Sequence, residues 1–467
     1  MGGFFGCVSD RDCVADVFYG TDYHSHLGTK RGGLVFQNRN GMKKSIKKIE
    51  NTYFRTKLEP ELAKLTGEKG LGVISDTDAQ PLIIGSHLGT FAIVMVGKIN
   101  NLDELARDAF NQGLHFSEAS EGAVNPTELV AMLINQAGSF AEGIARAQDM
   151  IRGSCSLLLL TAKGIYAARD RLGRTPVVVG RKNGTHAVSS ESCAFFNLGY
   201  ETERYLGPGE IVYLTADGYE QLKPPGEASQ VCAFLWVYYG YPPSSYEDIN
   251  VEAVRYRCGW ALADRDDTLV DYVSGIPDSG IGHAIGYANK KQIPYRRPFV
   301  KYTPTWPRSF MPQDQSMRDL VAKMKLIPIP QIIEGQRVMF CDDSIVRGTQ
   351  LQDNIRILFD FGAKEVHMRT ACPTLIYPCE YLNFSASRST LDLIGRQVIH
   401  ELEGGGMGDI GEYARAGSEK HTAMVAKIRE RLLLTSLKFQ RLDDLIAAIG
   451  LPKERVCTHC WDGSSYG

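Results

Sequence analysis

The sequence lacks a long hydrophobic run, a strong net charge and a secretion signal. No stretch of about 18 consecutive apolar residues occurs, so no transmembrane helix is predicted. The formal net charge of −2 gives no electrostatic reason to expect binding to nucleic acid or to an anionic membrane. The first residues lack the basic segment of a signal peptide. They also lack the Ser or Thr that a myristoylation site requires at position 6. We therefore expect a cytoplasmic protein.

Disulfide bonds are not expected either. The eleven cysteines are an odd number and are spread along the chain, which in a cytoplasmic protein is typical of free thiols or metal ligands. The length of 467 residues suits two domains. The best linker candidate is the polar segment Pro224–Ser229, and we predict domains of residues 1–228 and 229–467.

The two predicted domains differ in their hydrophobic patterns. Up to about residue 225, short alternating or apolar runs are separated by Gly, Asn and Asp, which is typical of stacked antiparallel sheets. From about residue 250, predicted strands and helices alternate, beginning with a helix over Val251–Asp264, and this indicates a parallel sheet. Such sheets bind ligands at the carboxyl ends of their strands. We expect a charged helical segment near the surface at roughly 404–430, and a short helix with a basic face at Lys43–Lys48.

The most informative segment is 338–350. An apolar strand, Arg337–Cys341, is followed by the adjacent carboxylates Asp342 and Asp343, a short loop over Ser344–Thr349 and a helical pattern. The amides of such a loop and the start of the helix can hold a phosphate. The two carboxylates can accept hydrogen bonds from vicinal sugar hydroxyls. The segment therefore predicts a site for a phosphorylated sugar.

This segment resembles the motif with which type I phosphoribosyltransferases bind phosphoribosyl pyrophosphate (PRPP), and it is most similar to the glutamine PRPP amidotransferase family. Further segments resemble that family in the same order, and they cover nearly the whole chain. They are Arg169–Pro176, Ser189–Ser192, Gly207–Glu210, Pro277–Gly280, Phe299–Lys301 and Arg308–Lys325. The resemblance implies an α/β and α+β protein: a four-layer αββα domain of the N-terminal-nucleophile hydrolase type, then a type I phosphoribosyltransferase domain with a parallel sheet.

By this resemblance, the chain binds PRPP together with Mg²⁺. The loop would hold the 5′-phosphate, Asp342 and Asp343 the ribose hydroxyls near the metal, and a second loop with two basic side chains the pyrophosphate. The implied PRPP-binding residues are Asp342, Asp343, Ser344, Ile345, Val346, Arg347, Gly348, Thr349, Asp278, Ser279, Gly280, Arg308 and Lys325.

The resemblance fails where the family handles glutamine. The family places a nucleophilic cysteine directly after the initiator Met, and this chain has Gly2. Ser75 stands where the family has a substrate-binding arginine, Val96 where it has an oxyanion-hole asparagine, and Pro126 where it has an aspartate. The loss of one oxyanion-hole donor costs about 10²–10³ in rate. We therefore predict a paralogue without glutaminase activity.

The amine acceptor is also open. Tyr241 and Pro243 replace an arginine and an aspartate of the family, and Thr303 interrupts another of its segments. The main hypothesis is an amidophosphoribosyltransferase-like enzyme of purine biosynthesis that transfers ammonia, taken from solution or from a partner glutaminase, to C1 with release of pyrophosphate. The alternatives are transfer to another amine, and a non-catalytic PRPP sensor that pairs with an active paralogue. We expect a homo-oligomer.

The C-terminal Cys-x-x-Cys is a metal signal of moderate strength. Cys232 and Cys379 fall where the iron–sulfur branch of the family has its other ligands, so the resemblance implies a [4Fe–4S] cluster on Cys232, Cys379, Cys457 and Cys460. Zinc and free thiols remain alternatives. For His24 and His26 we predict ordinary hydrogen-bonding roles and no metal site.

Overall fold

A computed structural model describes residues 2–50, 52–117, 119–120, 123–302, 326–382 and 389–464. Within these ranges, no helix has both the length and the apolar character needed to cross a membrane. Three main sheets organise the described residues: two antiparallel sheets from the first half of the chain and one parallel sheet from the second.

The first antiparallel sheet has seven strands. In spatial order they are Glu201–Tyr205, Val178–Lys182, Thr185–Ser189, Gly3–Ser9, Lys69–Ser75, Arg31–Asn38 and Gly41–Lys48. The second sheet has six strands, which are Tyr219–Lys223, Ile211–Leu214, Ile165–Ala168, Gly153–Leu160, Phe91–Ile99 and Leu82–Ile84.

The two antiparallel sheets stack face to face between layers of helices. Alternate residues of the first strand show why: Phe4 and Val8 pack against the second sheet, whereas Phe5 and Cys7 pack against helices. The helices on the side of the seven-stranded sheet are Val14–Asp22, Phe54–Leu62 and Cys193–Phe196. Those on the other side are Leu102–Asn111, Pro126–Ile134 and Phe140–Met150. The result is the four-layer αββα arrangement.

The third sheet is parallel throughout. Its strands are Tyr272–Gly275, Arg337–Asp342, Glu365–Thr370 and Ser436–Phe439, in that order. One face packs on the helices Val251–Asp264 and Ile281–Lys291. The other face packs on Thr349–Asp360, Ile394–Leu402, Ile410–Ala414 and Glu419–Arg431. Because Tyr413, Met424 and Ile428 are buried there, the 404–430 segment is part of the core and not only a surface addition.

Short elements complete the described part of the chain. The paired strands are Val231–Cys232 with Val456–Cys457, Ser245–Tyr246 with Ile249–Asn250, Phe299–Lys301 with Leu326–Pro328, and Ala119–Ser120 with Ala123–Val124. The short helices are Leu235–Tyr239, Pro330–Ile333, Thr390–Asp392, Leu442–Ile449, Lys453–Arg455 and His459–Asp462, of which Leu235–Tyr239 is a π-helix.

The predicted helix Val251–Asp264 has the observed bounds, and the side chain of Asn250 caps it by accepting a hydrogen bond from the Ala253 amide at 3.0 Å. The prediction of a basic helix at Lys43–Lys48 is wrong. These residues lie in the edge strand Gly41–Lys48, where Gly41, with a φ of 104°, follows the tight turn from the neighbouring strand. Lysines on an edge strand discourage pairing with another chain.

Candidate active site

The two adjacent carboxylates lie at the carboxyl end of a central parallel strand. Asp342 ends the strand Arg337–Asp342, beside Gly275 at the end of its neighbour. Asp342 Oδ1 accepts hydrogen bonds from Ser279 Oγ at 3.1 Å and from the Asp343 amide at 2.9 Å. The hydroxyl of Ser344 donates to Asp343 Oδ2 at 2.6 Å. Two segments whose hydrogen-bonded residues are 63 positions apart in the sequence therefore meet at one edge of the sheet.

The acidic pair is costly to ionise without a cation. Burial and the neighbouring Asp343 carboxylate raise the pKa of Asp342 well above its ordinary value. Burial also raises the pKa of Asp343, although Ser344, Ser279 and the positive charge of Arg255 oppose this. A divalent cation or a pair of donating sugar hydroxyls would offset this cost.

The loop after the acidic pair leads directly into a helix. Gly348 adopts a left-handed conformation with a φ of 79° immediately before the helix Thr349–Asp360. A Cβ atom there would lie 2.7 Å from Cδ1 of Ile394, so glycine is needed for both the conformation and the space. Ile345 is buried and anchors the loop, whereas Arg347 is exposed and lies 3.4 Å from Asp392. The first turn of the helix and the preceding loop thus face a solvent-accessible edge, as phosphate binding requires.

The second loop, Pro277–Gly280, lies beside the acidic pair. A Cβ atom on Gly280 would lie 2.2 Å from the carbonyl oxygen of Cys341, so only glycine permits this approach of the two strand ends. Asp278 forms an ion pair with Lys301 at 2.5 Å. The structure thus brings together the predicted residues 278–280 and 342–344. Arg308 and Lys325, predicted for the pyrophosphate, lie outside the described residues, as does Thr303.

Sequence reasoning missed Arg255. Its buried guanidinium donates hydrogen bonds to the carbonyls of Trp236, Tyr238 and Gly240 and lies close enough to Asp343 to affect its pKa. It therefore ties the π-helix Leu235–Tyr239 to the edge of the sheet that carries the acidic pair. The only trace in the sequence is an arginine on the helix face that also carries Val254 and Cys258, and this pattern does not reveal its three carbonyl partners.

The position of the missing nucleophile faces a cavity of only about 10 Å³. That volume is about the room for one water molecule. A Cβ atom on Gly2 would lie 2.5 Å from the carbonyl oxygen of Ile74. The observed backbone therefore has no space for a side chain at this position.

The polar residues that follow the strand beside Gly2 form hydrogen bonds with one another. The buried carboxylate of Asp78 accepts hydrogen bonds from Thr127 Oγ1 at 2.5 Å, Thr77 Oγ1 at 2.6 Å and Gln80 Nε2 at 3.0 Å. Ser75, at the position of the family's arginine, is buried and its hydroxyl lies 3.5 Å from Asp78. Neutral donors satisfy this carboxylate, and Ser75 supplies no positive charge for a substrate carboxylate.

A second buried carboxylate connects the two halves of the chain. Glu191 lies 3.0 Å from Nε2 of His26 and accepts hydrogen bonds from the Tyr246 hydroxyl at 2.5 Å and the Tyr241 amide at 3.2 Å. Burial opposes its ionisation, but the charges and hydrogen bonds of His26, His24 and Tyr246 outweigh this and lower its pKa to about 2. His24 is buried and hydrogen-bonded to Gly20 and Ser189, in agreement with the predicted role.

The four C-terminal-half cysteines predicted as ligands are neighbours. Cys232 and Cys457 are partners on the short parallel strands. Burial and the nearby thiols of Cys457 and Cys379 raise the pKa of Cys232 well above its ordinary value, and a hydrogen bond to Cys379, followed by burial, does the same for Cys460. Within the described ranges, however, no group of three or more His, Cys, Asp or Glu side chains is arranged to hold a metal ion.

Four neighbouring cysteines are a donor set that both zinc and a [4Fe–4S] cluster use in proteins. The hydrogen bond between Cys379 and Cys460 places these two sulfurs close together. Either centre would bind the cysteines as thiolates and would offset the cost of burying their negative charge.

The chain was compared with known proteins. Residues 70–197 match the family described as glutamine amidotransferase domain. Amidophosphoribosyltransferases are similar over most of the chain. The protein of Methanocaldococcus jannaschii is 31% identical over 85% of this chain and 91% of its own length, and that of Bacillus subtilis is 30% identical over 81% and 80%.

The fold agrees with this likeness. The structure of glutamine PRPP amidotransferase from B. subtilis, complexed with ADP and GMP, matches with a TM-score of 0.86 at 26% identity over 99% of this chain and 96% of that chain. The fold and the strand-end site define a two-part protein with an amidotransferase-type αββα half and a phosphoribosyltransferase-type half, and the predicted fold class is confirmed. The chain belongs to the amidophosphoribosyltransferase family.

Proposed function

We propose that this protein binds PRPP with Mg²⁺ at the acidic strand end and transfers ammonia, or another small amine, to C1 of the ribose. The amine does not come from glutamine in its own first half. The assignment rests on one contrast. The residues of the phosphoribosyl site, 278–280 and 342–349, converge at one sheet edge, whereas the position of the glutaminase nucleophile is closed.

The proposed division of labour follows the two halves. Residues 1–228 form an amidotransferase-like domain without glutaminase activity, and residues 229–467 form the transferase domain with the cysteine-containing tail. The protein acts in the cytoplasm and assembles as a homo-oligomer. A separate glutaminase, or ammonia in solution, supplies the nucleophile.

In the proposed reaction, the Ser344–Thr349 loop holds the 5′-phosphate and fixes the position of the ribose. Asp342 and Asp343 accept hydrogen bonds from the two ribose hydroxyls, and Ser279 keeps Asp342 in place from the neighbouring strand end. Mg²⁺, when bound, supplies positive charge to the departing pyrophosphate. Orientation and charge neutralisation at C1 are the main contributions of the protein.

Arg255 has a supporting role. It fixes the carbonyls of the Leu235–Tyr239 segment and brings positive charge towards Asp343, so that it lowers the cost of ionising the acidic pair. Tyr241 follows this segment and packs against His26, with ring centres 5.1 Å apart. The replacement of the family's arginine by Tyr241, and not this contact, is the observation that favours an amine other than ammonia as the alternative acceptor.

The decisive experiment measures pyrophosphate release from PRPP and Mg²⁺ by anaerobically purified protein, with ammonium or with glutamine. Release with ammonium but not with glutamine supports the proposal. Release with glutamine contradicts the assignment of the first half as inactive. PRPP binding without any release, across ammonium and a panel of small amines, identifies the protein as a PRPP sensor.

We further propose that Cys232, Cys379, Cys457 and Cys460 hold a [4Fe–4S] cluster with a structural role. The centre would join the start of the transferase domain to the C-terminal tail. Anaerobically purified protein is expected to contain about four iron and four sulfide per chain. Cys460→Ser should lose them, whereas Cys258→Ser, at a buried thiol outside this group, should keep them. Zinc in place of iron contradicts the assignment.

A further inference from the structure

Arg174 contacts all three chain segments that carry the four cysteines. Its carbonyl oxygen accepts the backbone N–H of Cys232 at 3.2 Å. Its guanidinium carbon lies 3.8 Å from the ring centre of Tyr381, two residues after Cys379. Its side chain is within hydrogen-bonding reach of the sulfur of Cys457. Arg174 itself belongs to the first half of the chain, so these contacts cross between the two halves.

The guanidinium is held in one place. The side chain is only 3% exposed, and Nη1 donates a hydrogen bond to the carbonyl of Gly153 at 2.9 Å. Stacking on Tyr381 fixes the plane of the group. Arg174 falls at an unspecified position of the family element Arg-Asp-x-x-Gly-x-x-Pro, so nothing in that motif called for a cation here.

We propose that Arg174 is a positioning residue for the four-cysteine centre, which compensates the negative charge of the thiolates and covers the side of the centre that faces the first half. This inference rests on the proposed cluster. It concerns the properties of the cluster and is independent of the transferase activity.

The first consequence is electrostatic. The potential of an iron–sulfur cluster depends on its net charge, on hydrogen bonds to its sulfurs and on its exposure to solvent. Four thiolates make the centre anionic, and a fixed positive charge within hydrogen-bonding reach of Cys457 stabilises the reduced state, which carries one more electron. Removing this charge should move the midpoint potential to a more negative value.

The second consequence concerns access. A cavity of about 460 Å³ is lined by both Arg174 and Tyr381, and its lining also includes Ser154, Arg171 and Glu380 but none of the four proposed ligands. We infer that the stacked pair of Arg174 and Tyr381 separates this cavity from those four cysteines. If the side chain of residue 174 is shortened, water and dioxygen in the cavity gain access to the cluster.

The test compares Arg174→Gln, Arg174→Lys and Tyr381→Leu with the wild type, and uses Arg171→Gln as the matched control. Arg171 is exposed and lines the same cavity. The readouts are the midpoint potential from an anaerobic titration followed by electron paramagnetic resonance, and the rate at which the cluster absorbance bleaches in air.

Arg174→Gln should have a more negative potential and bleach several-fold faster. Arg174→Lys should keep the potential closer to that of the wild type, because the charge remains, but should still bleach faster, because an ammonium group cannot cover the ring as a plane. Tyr381→Leu should bleach faster, and Arg171→Gln should match the wild type in both measurements.

An Arg174→Gln protein with full iron content and unchanged potential and bleaching overturns the inference and leaves the cluster assignment intact. If that variant loses its iron, Arg174→Lys and Tyr381→Leu still decide the question, and wild-type bleaching in both overturns it. A wild-type protein without iron overturns the cluster assignment and this inference together, while the transferase proposal stands on pyrophosphate release.

Discussion

Nε2 of His26 lies 3.0 Å from Oε2 of Glu191, and the hydroxyl of Tyr246 donates to the same carboxylate from the other half of the chain. Glu191 is 2% exposed, so this contact places a charge in a region without solvent. Such a charge is tolerated only when its partners are fixed. Glu191 and Tyr246, which line the small cavity at Gly2, therefore also join the two halves of the chain.

Glu191→Gln should destabilise the protein by about 3 kcal/mol, as expected when one partner of a buried pair is removed. The amide turns one acceptor oxygen into an N–H donor, so it cannot accept all the hydrogen bonds that the carboxylate accepts. Chemical denaturation measures the change. Glu201→Gln is the control, because Glu201 is 81% exposed and pairs with Arg181 at only 3.9 Å, so a change below about 1 kcal/mol is expected. Equal effects of the two substitutions would contradict the role of Glu191.

The buried His24 predicts a loss of stability in mild acid. Burial, together with the charge of His26 and despite the attraction of Glu191, lowers its pKa from 6.5 to about 4. Below pH 6.5 the histidine of the unfolded chain is protonated, whereas that of the folded chain stays neutral down to about pH 4. The contribution of His24 to the free energy of unfolding is therefore fully present above pH 6.5. It is lost as the pH falls towards 4, by about 1.4 kcal/mol per pH unit at most.

Unfolding free energies measured between pH 7 and pH 4 should show this slope. In His24→Phe the overall stability is lower, because Gly20 loses a hydrogen-bond donor, but the slope from this histidine disappears. His115→Phe, at an exposed site, is the control and should keep the slope. Glu191 contributes in a lower pH range, because its stabilisation is present above pH 4.5 and is lost only as the pH falls from 4.5 to about 2. An unchanged slope in His24→Phe would show that another group causes it.

Restoring a cysteine at position 2 should not restore glutaminase activity. A Cβ atom there would lie 2.5 Å from the carbonyl of Ile74, and Ser75 offers no charge for the substrate carboxylate. We expect no glutamate release from glutamine by Gly2→Cys. Gly85→Cys, where a Cβ atom meets nothing within 4 Å, is the control for adding a thiol, and it should react faster with a thiol reagent than Gly2→Cys. Glutamate release by Gly2→Cys would mean that the pocket opens in solution.

Local patterns in the sequence predicted the elements that carry the transferase site. The strand before Asp342, the loop and the following helix are consecutive, so hydrophobic period and turn residues are enough to predict them. The helix Val251–Asp264 was predicted for the same reason. The lysines at 43–48 were misassigned because an edge strand with charged residues on both faces has no clear period of two.

Contacts between distant residues could not be predicted in this way. His26 meets Glu191, and Arg174 meets Tyr381, only after the halves have docked. Arg255 looks like an ordinary helix residue until its three carbonyl partners are known. The sequence pattern predicts local helices and strands and reveals the family motif. Which buried charges pair with each other depends on tertiary packing and cannot be predicted from that pattern.

A substitution in the acidic pair should lower ligand affinity without lowering the stability of the fold. Since burial and mutual repulsion raise the pKa of Asp342, its carboxylate is unfavourable in the empty site at neutral pH, and Asp342→Asn should leave the folded protein as stable as the wild type or more stable. The same change removes an acceptor for the ribose hydroxyls and a negative charge near Mg²⁺, so PRPP affinity should fall at least about tenfold, which corresponds to about 1.4 kcal/mol.

Calorimetry with PRPP and Mg²⁺ measures affinity, and thermal unfolding of the protein without ligand measures stability. Asp360→Asn, at an exposed site near the end of the following helix, should change neither. Unchanged affinity in Asp342→Asn would remove the proposed site, and a large drop in stability would mean that the pair holds the fold together instead of the ligand.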